Sequence, residues 1–179
     1  TGITDFSALN EMAKVQVASY QSGEVQLDKT KLNTFLGGLK YPLLYFDIEL
    51  FMPAVPLYDG TKPYQHLPFQ FSIHRQEEPG GDLKHIEFIA EPGTDPRNAF
   101  LNQLLQQTEG EGHLLIYDLT LEKNILLALK SLFPDKGTEI DQRISRMRDL
   151  MQPFMERAYH HPQMKGSVSL KNVLPALVP

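Results

Sequence analysis

YPLLYFDIEL, residues 41–50, places two acids inside the most hydrophobic stretch near the beginning of the chain. If this stretch is a β-strand, its side chains alternate between two faces. One face is wholly apolar and consists of Leu44, Phe46, Ile48 and Leu50. The other face carries Tyr45, Asp47 and Glu49. The pattern predicts a core strand whose second face opens onto something polar.

Asp47 and Glu49 stand two residues apart, so their carboxylates point the same way with Cα atoms roughly 7 Å apart. On a largely buried element, two such acids repel each other and lose hydration. A bound divalent cation would remove both costs. The pair therefore indicates a metal site, and the alternative is a solvated strand face that carries two acids by chance.

The composition is that of a soluble globular protein. Of 179 residues, 41% are hydrophobic and 22% are charged. No apolar run approaches the roughly 20 residues that cross a bilayer, and the N-terminus has no secretory signal pattern. We therefore expect a cytoplasmic protein with no membrane partner.

The absence of cysteine and the net charge limit which metal sites and which modes of nucleic-acid binding the chain can have. Without cysteine there can be no disulfide, thiolate metal site or cysteine nucleophile. Any metal must be held by Asp, Glu, His or backbone oxygen, which favours Mg²⁺ or Mn²⁺. A net charge of −5 argues against a broad electrostatic grip on nucleic acid. A metal-dependent nuclease remains compatible with it, because bound ions reverse the local field.

The hydrophobic pattern predicts an α/β fold. Residues 1–40 read as a helical lead-in that includes a helix capped by Asp28. Residues 41–179 would form the main domain, in which FQFSIHRQEE and LKHIEFIAE are strands joined by the turn PGGD. With the opening strand they make an antiparallel three-strand meander.

Helices alternate with a strand after the meander. DPRNAFLNQLLQQTEG begins a helix with Asp95 as N-cap and Pro96 at its first position. HLLIYD is a short strand and LEKNILLALKSLF a helix. TEIDQRISRMRDLMQPFMERAY, residues 138–159, is predicted as one helical segment that Pro153 kinks or breaks. The result is a mixed sheet with flanking helices.

A second pair of acids lies where the short strand gives way to a helix, in LLIYDLTLEKN, residues 114–124. Ligands of α/β sheets gather at the carboxyl ends of strands, so Asp118 and Glu122 are placed to meet Asp47 and Glu49. The alternative is that Asp118 caps the helix and Glu122 favours its first turn.

Other polar residues are weaker candidates. His160 and His161 are adjacent, so their side chains point apart, and His74 and His85 read as paired core or surface residues. The arginines of the long predicted helix lie mostly away from its apolar stripe and are expected on a solvated face: Arg143, Arg146 and Arg148.

One loop offers a surface for a single nucleic-acid strand. LYDGTKPYQH contains Tyr58, Lys62 and Tyr64, which could stack on bases and contact phosphate. The alternative is a proline-rich loop that packs its own tyrosines.

The succession of D-x-E strand, meander, helix, strand ending in Y-D-x-x-x-E and helix resembles the RNase H-like fold of DEDD, proofreading-type (DnaQ-like) 3′–5′ exonucleases. YFDIELFMPAVPLYDGTKPYQHLPFQFSIH and GSVSLKNVLPALVP resemble, more closely, a bacterial family of unknown function related to them. This closer resemblance covers roughly residues 28–179.

The resemblance implies roles for individual residues. Asp47 and Glu49 match the first exonuclease motif, whose acids bind the catalytic metals. Glu122 stands in the acid slot of the second motif, with Asp118 in its Asn slot and Leu121 in its Phe slot. Three further residues would support the site: Asp149, Ser169 and Lys171.

The third motif, a His or Tyr followed by an Asp, should lie beyond Ser169 and has no candidate before Pro179. We therefore expect a domain that is incomplete at its C-terminus, with the general base and fourth acid downstream; the alternative is that this member has lost them.

In a complete site, two Mg²⁺ or Mn²⁺ ions held by Asp47, Glu49 and Glu122 would hydrolyse phosphodiesters at a single-stranded DNA or RNA 3′ end. The rival hypothesis is a non-catalytic nucleic-acid-binding or protein-docking module with a degenerate site. Glu in place of the usual Asp in the second motif favours the rival.

Overall fold

The structure is a computed structural model that describes residues 9–178. Two compact units are present: residues 40–149 form one, and the segments on either side of them form the other. Of the helical lead-in predicted over residues 1–40, residues 1–8 lie outside the described part.

The elements alternate between strands and helices along most of the described chain. The strands are β1 (Gln26–Leu27), β2 (Leu43–Phe51), β3 (Leu67–Gln76), β4 (Leu83–Ile89), β5 (Leu114–Ile116), β6 (Met147–Asp149) and β7 (Tyr159–His160). The helices are α1 (Glu11–Ser22), α2 (Lys29–Gly37), α3 (Pro96–Gln107), α4 (Thr120–Leu132), α5 (Gly137–Arg146), α6 (Gln152–Met155) and α7 (Leu170–Leu177). Short 3-10 helices lie at Pro134–Lys136 and Pro162–Met164.

A five-stranded mixed sheet in the order β4-β3-β2-β5-β6 organises residues 40–149. β2, β3 and β4 are antiparallel neighbours, whereas β5 runs parallel to β2 and β6 runs parallel to β5. This arrangement confirms the predicted α/β class and the antiparallel meander.

The apolar face of β2 lies in the core of this unit. Leu44, Phe46 and Ile48 are buried there, as the alternation predicts. They join a cluster with residues of β3 and of the helices α3, α4 and α5. The ring of Phe71 on β3, for example, meets that of Phe100 on α3 at a centroid distance of 5.7 Å. The helices therefore cover the side of the sheet that Phe46 faces.

The prediction of a single long helix over residues 138–159 is wrong. α5 ends at Arg146, and Met147–Asp149 pairs with β5 as the strand β6. The side chain of Met147 is buried. Pairing satisfies backbone donors and acceptors along β5 that would otherwise be buried without partners. This long-range pairing outweighs a locally helical pattern of apolar residues.

The expectation of a solvated arginine face is also wrong for Arg143 and Arg146. Buried Arg143 donates from Nη2 to the Leu105 carbonyl at 2.7 Å. Arg146 donates from Nη1 to the Gly112 carbonyl at 2.8 Å and from Nη2 to the Thr108 carbonyl. These side chains satisfy carbonyls at and beyond the C-terminal end of α3, which lack partners inside the helix.

The segments outside residues 40–149 form a smaller helical unit. Its β1 and β7 pair antiparallel, with Gln26 aligned to His160. The predicted N-cap of α2 is confirmed, because the Asp28 carboxylate accepts a hydrogen bond from the Lys31 backbone N–H at 3.1 Å. No helix among residues 9–178 is both long and apolar enough to cross a membrane.

Gly112 and His113 bring β5 against β2. A Cβ at Gly112 would lie 1.9 Å from the Pro42 carbonyl oxygen, so only glycine fits there. The His113 N–H donates to the Lys40 carbonyl at 2.9 Å, and its Nδ1 accepts from the Lys40 N–H at 3.1 Å. Burial, followed by nearby cations, lowers the pKa of His113, which is consistent with an unprotonated Nδ1.

Gly112→Ala should destabilise the protein by about 3 kcal/mol, because the added methyl group overlaps a backbone carbonyl that cannot easily move. Urea unfolding measures the change. The matched control is Gly137→Ala at the start of α5, where the new Cβ would meet only the Lys130 side chain at 3.5 Å. It should be neutral or stabilise by up to about 1 kcal/mol. Equal stabilities of the two variants would contradict the close approach.

Candidate functional site

Acids lie at the carboxyl ends of β5 and β6 and, at the same level, in the middle of the parallel strand β2. Asp47 lies on β2 just beyond the part that pairs with β5. Asp118 lies two residues beyond the end of β5, and Asp149 is the last residue of β6. Because β5 and β6 run parallel to β2, the register places Asp47 level with the end of β5, where ligands of α/β sheets gather. The topology thus brings together residues that are far apart in sequence.

Glu122 is the buried acid of this region. It lies in the first turn of α4, is only 7% exposed, and its Oε2 has no hydrogen-bond partner. Burial raises the pKa of Glu122; a hydrogen bond with its own backbone opposes this, and the charges of Asp47, Asp118 and Asp149 add to the increase. We refer to these four residues as the acidic cluster.

Asp118 adopts an unusual backbone conformation at the turn between β5 and α4. Its φ angle is 60°, in the left-handed region where non-glycine residues are uncommon. Its backbone N–H donates to Asp149 Oδ1 at 3.0 Å. The alternative that Asp118 caps α4 is wrong, because Leu119 precedes the helix and no side chain caps its first turn. Asp149 therefore helps to hold the turn from which Glu122 starts.

Asp47 and Glu49 share one face of β2, as predicted, but both are exposed. The inference that this pair suffers the cost of burial is therefore wrong. The helices that bury Phe46 lie against the other face of β2, so Asp47 and Glu49 stay hydrated. In the antiparallel ladder, Asp47 is aligned with Ser72 and Glu49 with Gln70. The cost of burial falls on Glu122 instead.

The acidic cluster is not a preformed metal cage. Among residues 9–178, no three His, Asp or Glu side chains are placed to hold a metal ion. The donors are nevertheless carboxylate oxygens, the ligands that Mg²⁺ and Mn²⁺ prefer. Glu122 Oε2 is also a buried oxygen without another partner. By chemistry the residues fit a hard divalent cation.

The predicted substrate-contact residues lie in the loop between β2 and β3. Tyr58 is half-buried, with its ring edge-on to Phe51 at a centroid distance of 6.4 Å. Tyr64 is 69% exposed, and Lys62 is also exposed. Tyr58 thus follows the alternative in which the loop packs its own tyrosine, whereas Lys62 and Tyr64 remain accessible.

Arg97 anchors this loop, and the sequence pattern did not predict this role. Its side chain is buried, and it donates from Nε to Asp95 Oδ1 at 2.9 Å and from Nη2 to the Asp59 carbonyl at 3.0 Å. The hydrogen bond from Arg97 lowers the pKa of Asp95, the N-cap of α3. The D-P-R triplet hints at the ion pair, but the contact with Asp59 depends on the fold.

The remaining predicted residues lie apart from the acidic cluster in the sheet or belong to the other unit. His74 and His85 stack face to face on β3 and β4 with centroids 4.6 Å apart, as a surface pair. Ser169 precedes α7 and donates to Asn172 Oδ1 at 2.9 Å, and Lys171 is exposed. The supporting roles of Ser169 and Lys171 stay predictions.

The family described as "Domain of unknown function (DUF2779)" matches residues 44–169. The chain belongs to this family. The matched range contains the whole acidic cluster and Glu49, and the predicted resemblance to a family of unknown function is confirmed. Neither the search of curated proteins nor the search of solved structures found a match. The resemblance to exonucleases stays a prediction.

Glu122→Gln should stabilise the protein at neutral pH. Because folding raises the pKa of Glu122, its carboxyl group stays protonated in the folded state at pH values where it is ionised in the unfolded chain. The stability that the protonated Glu122 contributes is fully present below the ordinary glutamate pKa of 4.5. It is lost as pH rises through the higher pKa of Glu122 in the folded state. Glutamine carries no charge, so we expect a gain of about 1 kcal/mol at pH 7 that vanishes near pH 4.

Urea unfolding in EDTA at both pH values measures this difference. The matched control is Glu139→Gln, an exposed acid in the first turn of α5. It should change the stability by no more than about 0.5 kcal/mol. A Glu122→Gln protein that is less stable than the wild type at pH 7 would show that the carboxylate has an unseen partner.

Proposed function

We propose that this chain provides the first two acidic motifs of a metal-dependent 3′–5′ exonuclease with an RNase H-like fold. The observation that carries the proposal is the buried, unpartnered Oε2 of Glu122 beside three further acids. Buried carboxylates normally have hydrogen-bond partners or counter-charges. A divalent cation is the counter-charge that this set of oxygen donors suits best.

The sheet supports the RNase H-like part of the proposal. An antiparallel meander is followed by two strands parallel to its first strand, each preceded by a helix. The predicted D-x-E motif lies on the first strand and Glu122 on the helix after the fourth strand of the sheet. Both positions agree with the resemblance drawn from the sequence.

In this proposal Asp47, Glu49 and Glu122 hold Mg²⁺ or Mn²⁺, two ions in a complete site. Bound ions of this kind make a water nucleophilic near neutral pH and stabilise the leaving oxygen of the phosphodiester. Asp149 holds the backbone of Asp118 and so orients the start of α4. The fixed helix then directs the Glu122 carboxylate towards the edge of the sheet where Asp47 lies.

The accessible loop side chains support single-stranded nucleic acid as the proposed substrate class. Tyr64 offers an exposed ring on which a base could stack, and Lys62 offers a cation for a backbone phosphate. Both lie in the loop that follows the strand of Asp47 and Glu49. The proposed substrate is the 3′ end of a single strand of DNA or RNA.

A second candidate function is a non-catalytic nucleic-acid-binding or protein-docking module that keeps the fold. The lack of three converging ligands within residues 9–178 favours it. The two candidates differ in one measurable property, because only the exonuclease requires a divalent cation for its action on nucleic acid.

Asp47→Asn should abolish the cation-dependent degradation of single-stranded nucleic acid by the full-length protein. The change keeps the size of the side chain but removes a carboxylate ligand, so we expect a loss of more than about 100-fold. The assay follows a 5′-labelled single-stranded oligonucleotide with Mn²⁺ and with EDTA. The matched control is Asp135→Asn, an exposed acid in the same unit, which should keep full activity.

Three outcomes separate the possibilities. Degradation that needs Mn²⁺ and is lost only in Asp47→Asn supports the exonuclease. Binding of the oligonucleotide without degradation, in the wild type and with Mn²⁺, supports the second candidate. Degradation that survives in Asp47→Asn would overturn the role given to this residue.

A further inference from the structure

β4 is a free edge of the five-stranded sheet. It pairs with β3 on one side, and no strand within residues 9–178 pairs with its other side. Proteins usually protect such an edge, because its row of outward N–H and C=O groups can pair with a further strand. The opposite edge, β6, is protected by its length of only three residues. β4 is seven residues long, and it contains neither a bulge nor a proline.

The backbone groups that point out of the sheet follow from the pairing on the inner side of β4. The N–H of Ala90, directly after β4, donates to the Phe69 carbonyl at 2.8 Å. Because backbone groups alternate in direction along an antiparallel strand, the even-numbered residues of β4 make their hydrogen bonds to β3. The odd-numbered residues direct their N–H and C=O groups towards the free side: Leu83, His85, Glu87 and Ile89.

The side chains of these odd-numbered residues are all exposed. Leu83 at one end of β4 is 57% exposed, and Ile89 at the other end is 67% exposed. His85 and Glu87, a base and an acid, lie between them. The order apolar, basic, acidic, apolar is complementary to the same order reversed. A two-fold axis between two copies of the chain imposes that reversal.

Antiparallel pairing of two β4 strands about Ile86 uses this complementarity. Residues at equal distances on either side of Ile86 then lie opposite each other. His85 meets Glu87 of the second copy, and Leu83 meets Ile89 of the second copy. The pairing also matches outward N–H groups of one strand to outward C=O groups of the other.

Neighbouring registers lack this complementarity. Centring the pair on His85 would set Leu83 against Glu87, and centring it on Glu87 would set two carboxylates against each other, which is destabilising. His85 Nε2 is hydrogen-bonded to the Ser72 hydroxyl at 3.1 Å. Nδ1 is therefore the ring nitrogen that can donate to Glu87 of the second copy.

We propose that β4 pairs with β4 of a second copy of this chain, so that two five-stranded sheets join into one continuous sheet. The Ile86 side chains of the two copies meet on the face that the helices cover. Because the pairing uses the free edge of both copies, the assembly closes at two chains. A contact confined to one strand of each copy is small, so the dimer is weak and reversible. This interface is independent of the acidic cluster and of the function proposed for it.

Sedimentation velocity of the 179-residue chain measures the association. We expect a reversible monomer–dimer equilibrium with a dissociation constant below about 1 mM and no larger species. Glu87→Lys sets a cation against His85 and should weaken the dimer at least about 10-fold. Adding His85→Glu to this variant restores an opposite pair and should recover the dimer. The matched control is Glu109→Lys, an exposed acid of the same unit outside β4, which should associate as the wild type does.

A single introduced cysteine tests the register, because the chain has no cysteine of its own. Two Ile86→Cys chains would bring their Cα atoms about 4.5 Å apart across the axis, within the range of a disulfide. Oxidation should link this variant at least about 10 times faster than Lys84→Cys, which lies on the same face of β4. The Lys84 positions of two copies would lie roughly 13 Å apart along the strands, too far for a disulfide.

Three results would each overturn the proposal. The first is a wild-type chain that stays monomeric at about 1 mM, which would leave the edge of β4 to a different occupant. The second is equal association of Glu87→Lys and Glu109→Lys. The third is an equal rate of disulfide formation in Ile86→Cys and Lys84→Cys.

Discussion

The parallel pairing of β2 with β5 determines where every acid of the candidate site lies. Gly112 permits the approach, and His113 binds Lys40 through its backbone and its ring. The direction of β5 then sets the edge at which Asp118 emerges, and the pairing of β6 with β5 brings Asp149 to the same edge. Without this pairing, the D-x-E strand would be an isolated pair of exposed acids.

The free-energy cost of burying charge in the acidic cluster is concentrated in one side chain, that of Glu122. Asp47 is hydrated, whereas Glu122 is buried, lacks a partner for Oε2 and lies in the field of like charges. A proton or a cation can relieve that cost. Natural proteins commonly retain groups that lower the free energy of unfolding where those groups serve a function. The buried acid is therefore the feature that most favours a functional reading of this edge.

Local patterns were sufficient to predict much of the fold. The period of two assigned Phe46 to the core and Asp47 to the open face, and cap chemistry placed the starts of α2 and α3 at Asp28 and Asp95. These features depend on neighbours in sequence. The strand–helix junction likewise singled out Glu122 as a candidate, because ligands gather at the ends of strands.

Features that depend on distant contacts were missed. The strand β6 was hidden in a helical pattern, since only its pairing with β5 reveals it. The exposure of Asp47 follows from which face of the sheet the helices cover. The pairing of β1 with β7 could not be inferred either, because the two strands lie far apart in the sequence.

The most direct test of this account is where a divalent cation binds. Mn²⁺ is paramagnetic and broadens the NMR signals of nuclei close to it. At substoichiometric Mn²⁺, we predict selective broadening of the backbone amides of Asp47, Glu49, Asp118 and Glu122, reversed by EDTA and absent in Asp47→Asn. Broadening centred on other acids, or none at Mn²⁺ concentrations that saturate weak sites, would contradict a metal site at the acidic cluster.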